Sequence, residues 1–222
     1  MVAARERFLG RDHYRALRST VTALAVEHAP RRPHLVVDLA GGIGHYLSPV
    51  VEARPSAWGL TIDLSRAALR RAARAHPRAG AVAADVWRPL PLVPESTAVV
   101  LSIFGPRPVA EIGRVLVENG VAVVANAMPD HLWELRDLVG AIGVDPRKAE
   151  RMSTAFGAFE RLAHQVVTWR LALSRDDVEA AVAMGPSAHH LDHSRLLAEI
   201  EELPDVIGVT AAIEVSVLRL GR

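Results

Sequence analysis

The chain has 222 residues, half of them hydrophobic and 23% charged, with a net charge of +1 and a pI near 8.4. A chain of this length buries about 70% of its unfolded surface, so it needs no disulfide or metal to hold a core. The lack of cysteine excludes disulfides and thiolate zinc sites, and the near-neutral balance disfavours a protein that lives on phosphate backbones.

The N-terminus, "MVAARERFLGRDHYRALR", lacks the apolar core of a secretory signal, and no window approaches the ~20 apolar residues of a membrane span. A cytoplasmic protein with no membrane partner is the expectation. Residues 16–28, "ALRSTVTALAVEH", read as an amphipathic helix, and "HLVVDL" as a short strand buried on both faces. A glycine cluster follows, then a helix through "YLSPVVEAR". "AWGLTID" is the second strand, and Ser65 is placed to cap the helix "SRAALRRAARAH". In that helix Arg66, Arg70, Arg71 and Arg74 stand at near-helical spacing and read as a solvated face.

"AGAVAAD" is the third strand and "TAVVLSIF" the fourth. The helix "VAEIGRVLV" should close on Asn119–Gly120, and "VAVVANA" is the fifth strand. Strand and helix alternate from residue 34 to about 127, which demands right-handed crossovers and a parallel sheet covered on both faces. Beyond Pro129 the pattern predicts a helix in "DHLWELRDLVGAIG" and a half-exposed strand in "AFERLAHQVVTWRLAL". A helix capped at its serine in "SRDDVEAAVAM", a helix in "SRLLAEIEEL" and a final strand in "VTAAIEVSVLRL" complete the chain. The late strands are expected to add antiparallel to one sheet edge, in an α/β fold. No linker divides the chain.

Ligands of open α/β sheets bind beyond the carboxyl ends of the strands, where the strand order reverses. There the sequence sets Asp38 before a turn with Ala40, Gly41, Gly42 and Gly44, Asp63 followed by Leu64, and Asp85 followed by Val86. Asp63 can accept from two ribose hydroxyls and Asp85 from an adenine amine. The set suits a nucleoside without phosphate. There is no Walker lysine, and the glycine spacing departs from the G-x-G-x-x-G of nicotinamide-binding domains.

This layout resembles the class I S-adenosylmethionine-dependent methyltransferases, whose first motif reads acidic-x-G-x-G-x-G; here it is "DLAGGIG", with Ala40 for the first glycine. Alanine costs little if that backbone sits at negative φ. The resemblance implies a Rossmann-like fold, S-adenosyl-L-methionine as cofactor, and Asp38 holding either the turn or the cofactor's ammonium group. It also implies one methyltransferase domain over 1–222: a helical cap at 1–30, a cofactor-binding core at 31–128, and substrate-side helices with antiparallel edge strands at 129–222.

Further stretches resemble the bacterial 23S rRNA guanine N-1 methyltransferases: "RERFLGRDHY", "SIFGPRPVAEIGRVL", "PDHLWELRDLVG", "VDPRKAERM" and "VAMGPSAHH". That family begins with a cysteine-coordinated zinc module, which this sequence does not show. Thr97 stands where the family's fourth strand commonly has an acidic residue.

The resemblance makes His13, Tyr14 and His190 the catalytic candidates, with Tyr14 and Phe104 also against the cofactor. Phe104, Pro106, His131, Met184, His189 and His190 are the substrate-side candidates. His189, His190 and His193 lack an acidic or thiolate partner in sequence, so no metal is expected. A flat acceptor could stack on Phe104.

With the zinc module absent and the charge near zero, a small heteroaromatic acceptor, indole- or purine-like, is the first expectation. The alternatives are 23S rRNA guanine N-1 methylation, and cofactor binding without catalysis. A homodimer through the late strands is also open.

Overall fold

The computed structural model describes residues 1–31, 35–135, 156–185 and 193–221. The expected helix beyond residue 135, His189 and His190 lie outside them. In chain order the elements are α1 (Val2–Gly10), α2 (Arg15–His28), β1 (Leu35–Leu39), α3 (Leu47–Glu52), β2 (Trp58–Asp63), α4 (Arg66–Ala72) and β3 (Ala79–Ala83). There follow β4 (Thr97–Ile103), α5 (Val109–Val115), β5 (Leu116–Ala127), β6 (Phe159–Ser174), α6 (Arg175–Met184), α7 (His193–Glu201) and β7 (Val206–Leu220).

The strands form one seven-stranded sheet in the order β3-β2-β1-β4-β5-β7-β6. β1 to β5 run parallel, and β7 is antiparallel to both β5 and β6. The continuous apolar runs of β1 and β4 are buried along nearly their whole length, as a strand covered on both faces must be. On one face Val36, Val99, Val123 and Ile213 pack with Leu17 and Val21 of α2, Leu47 of α3 and Val178 of α6. On the other, Val37, Val100 and Val124 pack with Ile112 and Val115 of α5. Strand order reverses between β1 and β4, so the cleft above those two strands is where this topology binds a ligand.

Two caps expected from sequence form: Ser65 accepts from the Ala68 N–H at 3.3 Å, and Ser174 with Asp177 makes a reciprocal capping box on α6. The Asn119–Gly120 helix cap does not. α5 ends at Val115, and Leu116 already pairs with Thr97 of β4. The next paired residues are Val99 and Val121, so the chain between Leu116 and Val121 is looped out of the ladder. Asn119 turns there at φ 61°. Strand pairing at Leu116 outcompetes another turn of helix, and Asn119–Gly120 serve a turn inside the strand segment.

α1 is held between two parts of the molecule. Glu6 pairs with Arg71 at 2.6 Å and Arg7 with Glu179 of α6 at 3.4 Å. Past its end, Arg11 reaches Asp177 at 2.6 Å. His13 Nε2 lies 3.0 Å from the same carboxylate, a distance that suits an ion pair although the angle is not that of a hydrogen bond.

For Asp177, burial pushes the carboxyl up, but Ser174, His13 and Arg11 together outweigh it and hold the value down at about 2. A folded-state pKa below the unfolded one contributes stability that is complete above about pH 4 and is lost as the pH falls towards 2. Asp177→Asn is therefore expected to show a shallower loss of stability between those two pH values than the wild type, measured by urea unfolding at stepped pH.

Candidate active site

The turn after β1 owes its shape to one carboxylate on the next strand. Asp63, the last residue of β2, accepts the Gly42 N–H at 2.9 Å and the Ser65 N–H at 2.8 Å. Gly42 itself sits at φ +59°, where a side chain is strained. A Cβ on Gly41 would lie 2.4 Å from the Asp38 carboxyl carbon, so only glycine lets the chain pass over that aspartate. Ala40 also has a positive φ, 52°. The expectation that alanine is harmless there because φ is negative is thus corrected: the position is left-handed and alanine is strained in it.

Asp63 therefore holds the turn, and Asp38 is left over. Asp38 is buried at 1% exposure, and its Oδ2 has no hydrogen-bond partner among the described residues. Burial first, and the nearby Asp63 second, raise its pKa to about 8, while Arg5 opposes the rise. The Tyr46 hydroxyl is likewise buried without a partner. A deficit of this kind is costly in a finished core and suits a ligand that brings donors and positive charge. The α-amino group of S-adenosylmethionine is such a donor. Arg5 of α1 comes to within 2.9 Å of where a Gly42 Cβ would lie, in position to meet the cofactor's carboxylate. The sequence reading missed Arg5, because nothing in "RERF" showed that α1 folds over the turn.

Further along the cleft, β2 and β3 end side by side. Asp85 takes the Trp87 N–H on one oxygen at 2.9 Å. Leu64 stands 71% exposed beside Asp63, while Val86 is buried. These residues offer a carboxylate, an open apolar face and a packed floor, which fits an adenosine. Gly44 packs over Ala72 of α4, where a Cβ would lie 3.3 Å from its backbone. The cofactor candidates thus gather at the carboxyl ends of β1, β2 and β3.

Across the switch point lies an aromatic group. Phe104, at φ 58° just past β4, stacks near-parallel with His131 at 6.0 Å between ring centroids. Tyr14 lies 6.1 Å from Phe104 and meets Trp169 edge-on. The Tyr14 hydroxyl is 3.0 Å from His131 Nε2, and His131 Nδ1 accepts the Ala212 N–H at 3.2 Å. Because Nδ1 is an acceptor, Nε2 of the neutral ring carries the proton and donates it to Tyr14. The Tyr14 O–H is then left to donate elsewhere. Burial also raises the Tyr14 pKa well above its usual value, so near neutral pH it is a hydrogen-bond donor and not a base.

Of the other candidates, Pro106 shapes the loop by accepting the Ser102 hydroxyl at 3.1 Å on its carbonyl oxygen. Met184 ends α6 and packs against the core. The His13 ring packs on Phe8, which meets Tyr14 edge-on, and lies 3.0 Å from Asp177, while its carbonyl accepts the Trp169 indole N–H at 3.0 Å. The geometry makes His13 a clasp between cap and α6. A second group that the sequence reading missed is Arg107, which donates to Asn126, which in turn donates to Glu214 at 3.0 Å. These contacts fasten the loop after β4 to β5 and β7.

No protein-family model matches the chain. Curated relatives do. A 23S rRNA (guanine(748)-N(1))-methyltransferase of Streptomyces fradiae is 40% identical over 221 residues, covering 99% of this chain and 79% of its own length. A Micromonospora griseorubida protein named as a candidate 23S rRNA (guanine-N(1)-)-methyltransferase is 40% identical over 230 residues, covering 97% of this chain and 78% of its own. Among solved structures, a SAM-dependent methyltransferase from Geobacter sulfurreducens, in complex with S-adenosyl-L-homocysteine, superposes with a TM-score of 0.56. It is 13% identical and covers 91% of this chain and 90% of its own. The fold is that of the class I methyltransferases. The chain belongs to the 23S rRNA (guanine-N(1)-)-methyltransferase family and is an S-adenosyl-L-methionine-dependent methyltransferase.

Two outcomes are expected. Left-handed alanine costs roughly 1–2 kcal/mol, partly offset by the greater unfolded freedom of glycine, roughly 0.4–1 kcal/mol. Ala40→Gly should therefore stabilise by about 0.5–1 kcal/mol, read as a rise of roughly 1–4 °C in Tm. Cofactor binding should release protons at pH 7, because an ammonium beside Asp38 favours its ionised form, while the free protein keeps that carboxyl largely protonated below about pH 8. Affinity should rise with pH up to about 8 and level off above. Calorimetry in buffers of different ionisation enthalpy measures the proton count, and Asp38→Asn should abolish the release.

Proposed function

We propose that this family member methylates N-1 of a guanine in 23S rRNA. The observation that carries the reading is 40% identity running through at least 97% of the chain with two proteins named for that reaction. The earlier expectation of a small heteroaromatic acceptor rested on the charge balance and the absent cysteine module. The relatives' names favour the ribosomal guanine over it. A ribosomal substrate also carries with it a cytoplasmic setting.

The cofactor supplies an electrophilic methyl group on a sulfonium, and in-line displacement rewards positioning above all. The protein's own groups supply that positioning. Phe104 and His131 present parallel rings on which a purine can stack. Tyr14, receiving from His131 and kept protonated by burial, can donate to the guanine O6. A hydrogen bond at O6 favours the negative charge that spreads onto that oxygen as the N-1 proton passes to solvent water. Arg107, through Asn126, holds the loop that aims Phe104.

The test is transfer of labelled methyl from S-adenosylmethionine to a 23S rRNA transcript, mapped by reverse transcription, which stops where a methyl on N-1 blocks base pairing. The expected result is one strong stop at a guanine. Tyr14→Phe should lower kcat on the order of 10²-fold with cofactor affinity nearly unchanged. Label appearing on indole- or purine-like small molecules and never on rRNA would return the acceptor to the small-molecule class.

A further inference from the structure

α4 sorts its arginines into two kinds. Ala68, Leu69 and Ala72 are buried against the sheet, which turns Arg66, Arg70 and Arg74 outward, where they are exposed. Arg66 and Arg70 stand one turn apart on one face, with a rise of roughly 6 Å between them, and Arg74 continues the line in the turn just past α4. Arg71, off that line, is tied to Glu6 at 2.6 Å. Among the described residues no ion pair links Arg66, Arg70 or Arg74 to an acid. Like charges four apart on a helix repel.

The neighbouring strand end adds to the line. β2 and β3 are paired through Asp63 and Ala83, and the Ala84 N–H donates to the Asp63 carbonyl at 3.2 Å. Residues 64–66 and 85–88 therefore leave the sheet side by side. Here Trp87 is 68% exposed and Arg88 is exposed. The nearby acids are engaged: Asp63 and Asp85 accept backbone N–H groups within the cleft, and Glu6 holds Arg71. What remains outside, among the described residues, is a row of guanidinium groups with no ion-pair partner beside an open indole, next to the carboxyl ends of β2 and β3. A row of positive charge with a stacking face fits a polyanion that carries flat rings.

We infer that Arg66, Arg70, Arg74 and Arg88, with Trp87, form an RNA-docking surface that grips the strand flanking the target nucleotide. This rests on the rRNA reading above and adds to it where the RNA is held. The arginines bind phosphates and so act without regard to sequence, Trp87 stacks an unpaired base, and selection of the guanine is left to the cleft around Phe104 and Tyr14.

The test compares wild type with the variant Arg66→Ser/Arg70→Ser/Arg74→Ser in binding a 23S rRNA transcript between about 50 and 200 mM salt. The salt slope of log K should fall by about 0.7–0.9 per arginine contact, roughly 2 to 3 in all, and affinity near 100 mM by tenfold or more. S-adenosylmethionine affinity and the unfolding temperature should stay as in wild type, which separates lost docking from lost folding. Trp87→Ala should weaken binding without changing the slope. If wild type binds and methylates the transcript while the triple variant keeps the same affinity and slope, the docking surface is wrong and the rRNA reading stands. If wild type neither binds nor methylates the transcript at 50 mM salt, the rRNA reading fails and the surface fails with it.

Discussion

The site depends on Asp63 spanning two backbones. By accepting from Gly42 and from Ser65, it ties the end of β2 to the turn after β1 and to the start of α4. A carboxylate that accepts backbone N–H groups is held firmly, because charge-assisted bonds are the strong ones. With Asp63 so occupied, Asp38 is freed from any part in the turn. It lies beneath Gly41 with an unmet oxygen and a carboxyl that burial keeps protonated far above its usual range. One residue supplies the geometry and the other the affinity for positive charge.

The cap extends that division of labour. α1 brings Arg5 to the glycine turn while its flanks are held by ion pairs to α4 and α6. Exposed pairs of this kind contribute little each. The stronger hold is at the α1–α2 junction, where Phe8 and Tyr14 are buried and Asp177 collects Ser174, Arg11 and His13. Asp177 thus serves as both the α6 capping residue and the anchor of the cap, so α6, over 160 residues downstream, fixes the N-terminal segment that lies over the cleft. The same junction delivers Tyr14 to the aromatic group, where His131 and the Ala212 N–H set its direction.

Part of the backbone strain lies beside this cleft. Ala40 and Phe104 both hold left-handed conformations, at the ends of β1 and β4 on either side of the switch point. Phe104 is kept there by its N–H bond to the Ala125 carbonyl at 3.1 Å and by the Ser102–Pro106 bond below it. Each such residue costs of order 1–3 kcal/mol, which the fully buried β4 around them can sustain.

Much of this was legible in the sequence. Continuous apolar runs marked β1 and β4, and serines before helical periods marked the caps of α4 and α6. The acidic strand ends with their glycine turn pointed to the carboxyl edge of the sheet, because each signal lies within a few residues of what it specifies. What the sequence left open was every choice that depends on a distant partner. "DLAGGIG" does not tell which aspartate holds the turn, since that is decided by Asp63, some 20 residues on. "DHY" does not tell that His13 turns to Asp177 while Tyr14 turns to His131. Asn119–Gly120 looks like a helix end until Leu116 is paired with Thr97. The sequence by itself determined the order of elements and the cofactor class, through local pattern and periodicity. Only the tertiary structure decided which charged and polar groups satisfy one another, because hydrogen bonds and burial are settled by contacts between segments far apart in the chain.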